Sequence, residues 1–326
     1  MLNDNNRPIK ILTPYRFINK NSWPGEYPVE IFYANDHSEM INLVPDMDVL
    51  ITLEFTKDMG ASANRLKLIQ SIGVGYDKID LHAVPKGCAV TNCHDHEKPM
   101  AEWVVMSMIA LNRELIKSDR TLRSGSWEMS GYHNAFYPEL EGQTLVIVGL
   151  GRVSKQVAVL ASAFNMRIIA VNRTVPMKEA LPIGFESVVG MESLHAVIRE
   201  ADFLLLTIPL VDATQDFVGK KELAMMKSTA HLINVARAET VNEEALYEAL
   251  KDKQIKGAAL DVWYKEPIGP SESPLPSTLP FWELENVIMS PHSSAATDGV
   301  LRRRILSIAN NVDSLARNEP LQNVVR

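Results

Sequence analysis

The stretch TLVIVGLGRVSKQVAVLASAF, residues 144–164, decides the fold. Its first residues form an apolar run that reads as a buried strand. Gly149-Leu150-Gly151-Arg152-Val153-Ser154 follows, and SKQVAVLASAF continues as a helix. Gly149 permits a tight turn. Gly151 lets an anionic group approach the backbone at a helix N-terminus, where unpaired N–H groups point outward. Ser154 fills the position that needs a small residue for close helix–strand packing. The pattern G-x-G-x-x-small, between a strand and a helix, predicts a dinucleotide pyrophosphate on this turn, beside Arg152 and Val153.

The next apolar run, RIIAV (167–171), ends on Asn172-Arg173-Thr174. A dinucleotide-binding unit commonly places a carboxylate about there, to hold the adenosine ribose and repel a 2′-phosphate. Asn172 carries no charge, Arg173 offers a charge-assisted pair to a phosphate, and Thr174 offers a hydroxyl. These three residues predict NADP(H) in preference to NAD(H).

Outward from this centre, strand-like runs alternate with helical or loop segments in both directions. IKILT (9–13), VEIFYA (29–34), VLIT (49–52), LKLIQSIG (66–73) and AVTNC (89–93) precede the glycine turn. FLLLTIP (203–209), HLINVA (231–236), GAALDVW (257–263) and NVIMSPH (286–292) follow it. Continuous apolar strands alternating with helices predict parallel sheets covered on both faces, in an α/β protein whose length suggests about two domains. Residues 101–123 read as one long helix, with Trp103, Met106, Ile109 and Leu111 on an apolar stripe. Residues 266–281 hold five prolines and read as a loop. The last helix, about 296–317, is expected to return to the N-terminal strands.

Composition bounds the function. The 326 residues are 46% hydrophobic and 22% charged, with a net charge of −7 and two cysteines. This argues against nucleic-acid binding by overall charge, against a disulfide framework and against a membrane span. No apolar signal segment is read at the N-terminus, so a cytoplasmic location is expected. Cys88 and Cys93 lie on opposite faces of an extended strand, and no metal site is expected.

Three further segments carry a resemblance. LTIPLVDATQDFVGKKELAMMKSTAHLINVARAETVNEEAL (206–246) leads to Arg237; AALDVWYKEP (258–267) contains Glu266; SPHSSAAT (290–297) contains His292. With SIGVGYDKIDL (71–81), they make the chain resemble the D-isomer-specific 2-hydroxyacid dehydrogenases, in order and over nearly its whole length. The resemblance implies two doubly wound α/β domains, one of them a Rossmann cofactor domain over 102–298. It also implies a flavodoxin-like substrate domain over 1–101 plus 299–326, with the active site in the cleft. It assigns Arg237 to the substrate carboxylate and carbonyl, His292 to proton donation, and Glu266 to holding His292. A carboxylate on the other ring nitrogen fixes the ring and favours its charged form.

By the same resemblance Leu53, Val74 and Gly75 would meet a small 2-keto acid. Met100, Pro209, Thr214, Val235, Ala236, Asp261 and Ser294 would meet the cofactor, with Asp261 and Ser294 at the nicotinamide amide. The implied reaction is reduction of a glyoxylate- or hydroxypyruvate-like keto acid to the D-2-hydroxy acid by a homodimer. The family also contains transcriptional corepressors, so a cofactor-sensing binding protein is the second reading. Three departures bear on loop shape: Ala238 stands where the family usually has glycine, HSSAA replaces the usual glycine-containing run after the histidine, and the proline-rich loop at 268–280 is longer than is common in the family.

Overall fold

The computed structural model describes residues 7–177, 180–267 and 273–326. The chain forms two compact units. The smaller takes the chain up to Asp95 together with Thr297–Arg326; the larger takes His96–Glu266 and Pro274–Ala296. The first change of unit thus comes at Asp95, which adopts φ 69°, ahead of the break expected after residue 101. Part of the proline-rich segment, 268–272, lies outside the described residues. The described part holds no α-helix or strand before the short 3-10 turn Phe281–Glu283.

In the larger unit the strands are β6 (Thr144–Val148), β7 (Arg167–Val171), β8 (Ser187–Val189), β9 (Phe203–Leu206), β10 (His231–Asn234), β11 (Gly257–Leu260) and β12 (Val287–Met289). They pair in parallel in the order β12-β11-β10-β9-β6-β7-β8. Side chains alternate between two cores. Val146, Val148, Leu204, Leu206 and Leu232 face one cluster; Leu145, Ile147, Phe203, Leu205 and Ile233 face the other. Both faces are therefore covered, which is why these strands read as unbroken apolar runs. Each fully buried Leu or Ile contributes about 1.5–3 kcal/mol. The order reverses between β6 and β9, and ligands of such sheets gather beyond the carboxyl ends at that point.

The long helix expected over 101–123 is two helices, Glu97–Asn112 and Leu115–Arg123. No Gly or Pro marks the break. Glu114 adopts a left-handed φ of 47°, and its carboxylate lies 3.4 Å from Lys256 Nζ. Met106 and Ile109, expected on the buried stripe, are exposed. The strand β8 also went unread, since Ser187–Val189 is too short to show a period.

The smaller unit holds β1 (Ile9–Thr13), β2 (Val29–Tyr33), β3 (Val49–Ile51), β4 (Leu68–Gln70) and β5 (Ala89–Thr91), parallel in the order β2-β1-β3-β4-β5. This is the flavodoxin-like order. The C-terminal helix Asp298–Arg317 covers one face, where Ile308 and Val312 join Ile11, Val49 and Ile51. Asp313 accepts hydrogen bonds from the Glu26 and Tyr27 N–H groups at 2.8 and 3.0 Å. Asn311 Nδ2 donates to Gln70 Oε1 at 2.9 Å.

At the amino end of β10, His231 is buried and stacked on Phe203, with ring centroids 5.4 Å apart. Burial pushes its pKa down from 6.5 to about 4, so the folded protein keeps it neutral. Between those values the unfolded chain binds the extra proton and the folded one does not, so acidification destabilises the fold. From pH 7 to pH 4 this site is expected to remove roughly 3 kcal/mol of unfolding free energy. Urea denaturation should show His231→Phe lacking that part of the pH slope. An unchanged slope would refute the assignment.

Candidate active site

The glycine turn follows β6. Gly149 adopts φ 103°, and a Cβ there would come within 2.9 Å of Thr207 Oγ1, so the position requires glycine. Gly151 caps the helix Arg152–Ser162, and a Cβ added to it meets nothing within 4 Å. That open space beside a helix N-terminus is what a pyrophosphate would fill, so the residues present fit a dinucleotide. Ser154 is buried and its Oγ donates to the Gly151 carbonyl at 2.9 Å. Arg152 extends outward, with Nη1 3.7 Å from the buried Glu97 carboxylate.

Asn172 is tied to this turn. Its Oδ1 accepts from the Leu150 N–H at 3.3 Å, and its Nδ2 donates to the Thr174 carbonyl at 2.8 Å. The side chain that replaces the expected carboxylate therefore braces the loop. Arg173 and Thr174 beside it are exposed.

Beyond β9, Thr214 Oγ1 donates to the Pro209 carbonyl at 2.7 Å and closes the segment between them. Beyond β10, Val235 and Ala236 are buried and lead to Arg237. Asn234 organises this turn: its Oδ1 accepts from Ala236 N–H at 2.9 Å and its Nδ2 donates to the Arg237 carbonyl at 2.9 Å. Thr240 Oγ1 donates to that carbonyl at 2.7 Å, and Arg237 Nη1 donates to the Ala236 carbonyl at 2.8 Å. Ala238, in the glycine position, has no left-handed φ and begins a buried 3-10 turn, so alanine is accommodated. Met100 is buried in the cluster between the helix Glu97–Asn112 and the sheet.

The loop after β12 brings two of the predicted residues together. His292 Nδ1 lies 3.0 and 3.1 Å from the two oxygens of Glu266. Glu266 Oε1 also accepts the Trp263 N–H at 3.2 Å. An ionised carboxylate only accepts, so Nδ1 carries the hydrogen of this pair and Nε2 is left for a reacting group. His292 itself adopts φ 51°, left-handed for a residue with a Cβ.

Asp261 accounts for much of this geometry. Its Oδ1 accepts from Ser290 Oγ at 2.5 Å and Ser293 N–H at 2.7 Å; its Oδ2 accepts from Ser294 N–H at 2.9 Å. Both oxygens of this buried carboxylate are thus engaged with the His292 loop. The Ser294 N–H is used in the same way. The serines of HSSAA serve this brace through their N–H groups, and the left-handed residue of the loop is the histidine itself.

In the smaller unit, Ser71 Oγ donates to the Gly73 and Gly75 carbonyls at 3.1 and 2.9 Å, and Asn92 Nδ2 donates to the Val74 carbonyl at 2.9 Å. Across a trans peptide the N–H points opposite to the carbonyl. Turning the Gly73 and Val74 carbonyls toward Ser71 and Asn92 therefore turns the Val74 and Gly75 N–H groups the other way. Leu53, packed 3.6 Å from where a Gly73 Cβ would be, is partly exposed.

Four residues that the sequence reading passed over build these loops: Ser71, Asn92, Asn234 and Trp263. Asn234 left a trace, a polar residue closing an apolar strand three positions before the arginine. Among the described residues no group of His, Cys, Asp and Glu could hold a metal, and no helix is long and apolar enough to cross a membrane.

Residues 105–294 match the family model described as D-isomer specific 2-hydroxyacid dehydrogenase, NAD binding domain. This chain belongs to the D-isomer specific 2-hydroxyacid dehydrogenase family. It is 32% identical over 313 residues to the glyoxylate reductase of Pyrococcus furiosus, covering 92% of this chain and 89% of that one. It is 34% identical over 302 residues to the D-3-phosphoglycerate dehydrogenase of Methanocaldococcus jannaschii, covering 91% of this chain and 55% of that longer protein. Among solved structures, an acyclic imino acid reductase in complex with NADPH and D-Arg superimposes with a TM-score of 0.81. It is 26% identical, over 98% of this chain and 100% of that one. As a 2-hydroxyacid dehydrogenase, the chain is an oxidoreductase with an NAD(P)-binding Rossmann domain and a second parallel α/β domain.

Proposed function

We propose that this dehydrogenase reduces a small 2-keto acid, of the glyoxylate or hydroxypyruvate kind, to the D-2-hydroxy acid, with NADPH as donor. The observation that carries the reading is the His292 Nδ1 contact with both Glu266 oxygens, which leaves Nε2 as the proton-delivering atom. When bound, NADPH supplies the hydride that the carbonyl carbon receives. His292 Nε2 gives its proton to the carbonyl oxygen, and Glu266 holds the ring and balances its charge. Arg237 binds the substrate carboxylate and polarises the carbonyl. Asp261, Asn234 and Thr240 hold the two loops in place.

The cofactor is assigned to Gly149, Gly151, Arg152 and Val153 at the pyrophosphate and to Asn172, Arg173 and Thr174 at the adenosine end. Pro209, Thr214, Val235, Ala236, Met100, Asp261 and Ser294 are assigned to the remainder. The absence of a carboxylate at Asn172 and the exposure of Arg173 favour a 2′-phosphate. That an imino acid reductase 26% identical to this chain binds NADPH supports the same choice. Leu53 and the Val74 and Gly75 N–H groups are assigned to the substrate by their motif and by the outward turn of those two peptides.

Domain roles follow: cofactor binding over about 102–298, substrate binding on the remainder. A homodimer is part of the reading. Met106, Leu115, Leu122, Trp127, Tyr132 and Phe136 expose apolar side chains on and just after the two helices Glu97–Asn112 and Leu115–Arg123, which supports that reading.

The test is NADPH and NADH oxidation with a panel of 2-keto acids. Turnover of short, polar keto acids with NADPH favoured is expected. Tight cofactor binding with no turnover of any panel member would favour the cofactor-sensing reading.

A further inference from the structure

We propose that Trp263 is a positioning residue that sets the catalytic histidine through its indole N–H. The inference rests on the reading of His292 as proton donor. Trp263 reaches both members of the pair. Its backbone N–H donates to Glu266 Oε1 at 3.2 Å. Its indole Nε1–H donates to the Ser290 carbonyl at 2.8 Å. That carbonyl also accepts the His292 N–H at 3.0 Å, closing a turn around Pro291.

The two hydrogen bonds to Ser290 O use both lone pairs of one oxygen and fix the Ser290–Pro291 peptide plane. The direction in which the chain leaves Pro291 sets where His292 begins, and His292 then holds its unusual φ of 51°. Asp261 grips the same loop from the other side, through Ser290 Oγ and the Ser293 and Ser294 N–H groups. Removing the indole donor frees one edge of the turn while Asp261 keeps the rest. The ring is placed to do this reproducibly. It is buried and meets Phe281 edge-on at 6.1 Å and 73°, and Phe281 is itself wedged against Tyr247 and Tyr264. A ring locked on that cluster presents its N–H in one direction.

Trp263→Phe keeps an aromatic ring and the backbone donor to Glu266, and removes the indole N–H. We expect kcat to fall about tenfold, with the keto-acid KM and the NADPH dissociation constant within about twofold of the parent. The solvent deuterium isotope effect on kcat should rise, because proton delivery by a less well aimed His292 becomes slower. Site-specific replacement of Trp263 by benzothienylalanine keeps the bicyclic shape without the donor, and should reproduce both changes. A purely structural role would instead lower thermal stability and weaken cofactor and substrate binding together, with no change in the isotope effect.

Parent-like kcat and isotope effect in both variants, or losses shared equally with cofactor binding, would overturn the proposal. His292→Gln is measured alongside. If it is inactive while both Trp263 variants behave as the parent, only the positioning role fails. If it keeps turnover, the proton-donor reading fails and the Trp263 role with it.

Discussion

Replacing His292 by glutamine is expected to lower keto-acid turnover about a thousandfold while leaving the NADPH dissociation constant within about twofold. Positioned general acids contribute about a hundred- to ten-thousandfold, and the middle of that range suits a donor with its partner already in place. The hydrogen bonds from His292 Nδ1 to Glu266, at 3.0 and 3.1 Å, are what prepare it. Glutamine can still donate a hydrogen bond to the carbonyl, but it cannot release a proton to it. Stopped-flow measurement of NADPH oxidation and fluorescence titration of the cofactor separate the two effects. Near-parent turnover would place the acid elsewhere. His231 does not replace it: it lies buried at the amino end of β10, and burial holds its pKa at about 4.

The second large effect concerns cofactor choice. Arg173→Ala is expected to raise the KM for NADPH about ten- to a hundredfold and to leave NADH nearly unchanged. One hydrogen bond to a charged group contributes about 1.5–3 kcal/mol, which corresponds to that range. The asymmetry is the decisive part. Asn172 is occupied by Leu150 N–H and the Thr174 carbonyl, so it brings neither repulsion nor strong attraction to the ribose. On the proposed reading the discrimination then falls on Arg173. Equal losses for both cofactors would show that Arg173 acts on a part they share, the adenine ring or the pyrophosphate.

Strand positions were readable because parallel strands buried on both faces leave unbroken apolar runs, as in Leu145–Val148 and Phe203–Leu206. The pairing of His292 with Glu266 was readable because motif order and chemistry coincide there. What was not readable depends on partners distant in sequence. The break at Glu114 goes with a left-handed residue whose carboxylate meets Lys256, and no local signal marks it. Nothing in the sequence neighbourhood of Asp261 shows that Ser290, Ser293 and Ser294 would engage both its oxygens. Trp263 looked like core, and most of it is. Only the fold reveals that its one polar atom reaches the carbonyl two residues before the histidine.

The left-handed backbone of His292 sets up a conflict within the sequence itself. A residue with a Cβ held there costs on the order of 1 kcal/mol relative to glycine or asparagine, and strain of this kind persists only where the surroundings impose it. Selection for heat resistance alone would drift toward glycine at position 292 and, in doing so, discard the proposed acid. Consensus or thermostabilising redesign of this protein would therefore have to exempt this loop, where a more comfortable backbone and a working enzyme are alternatives.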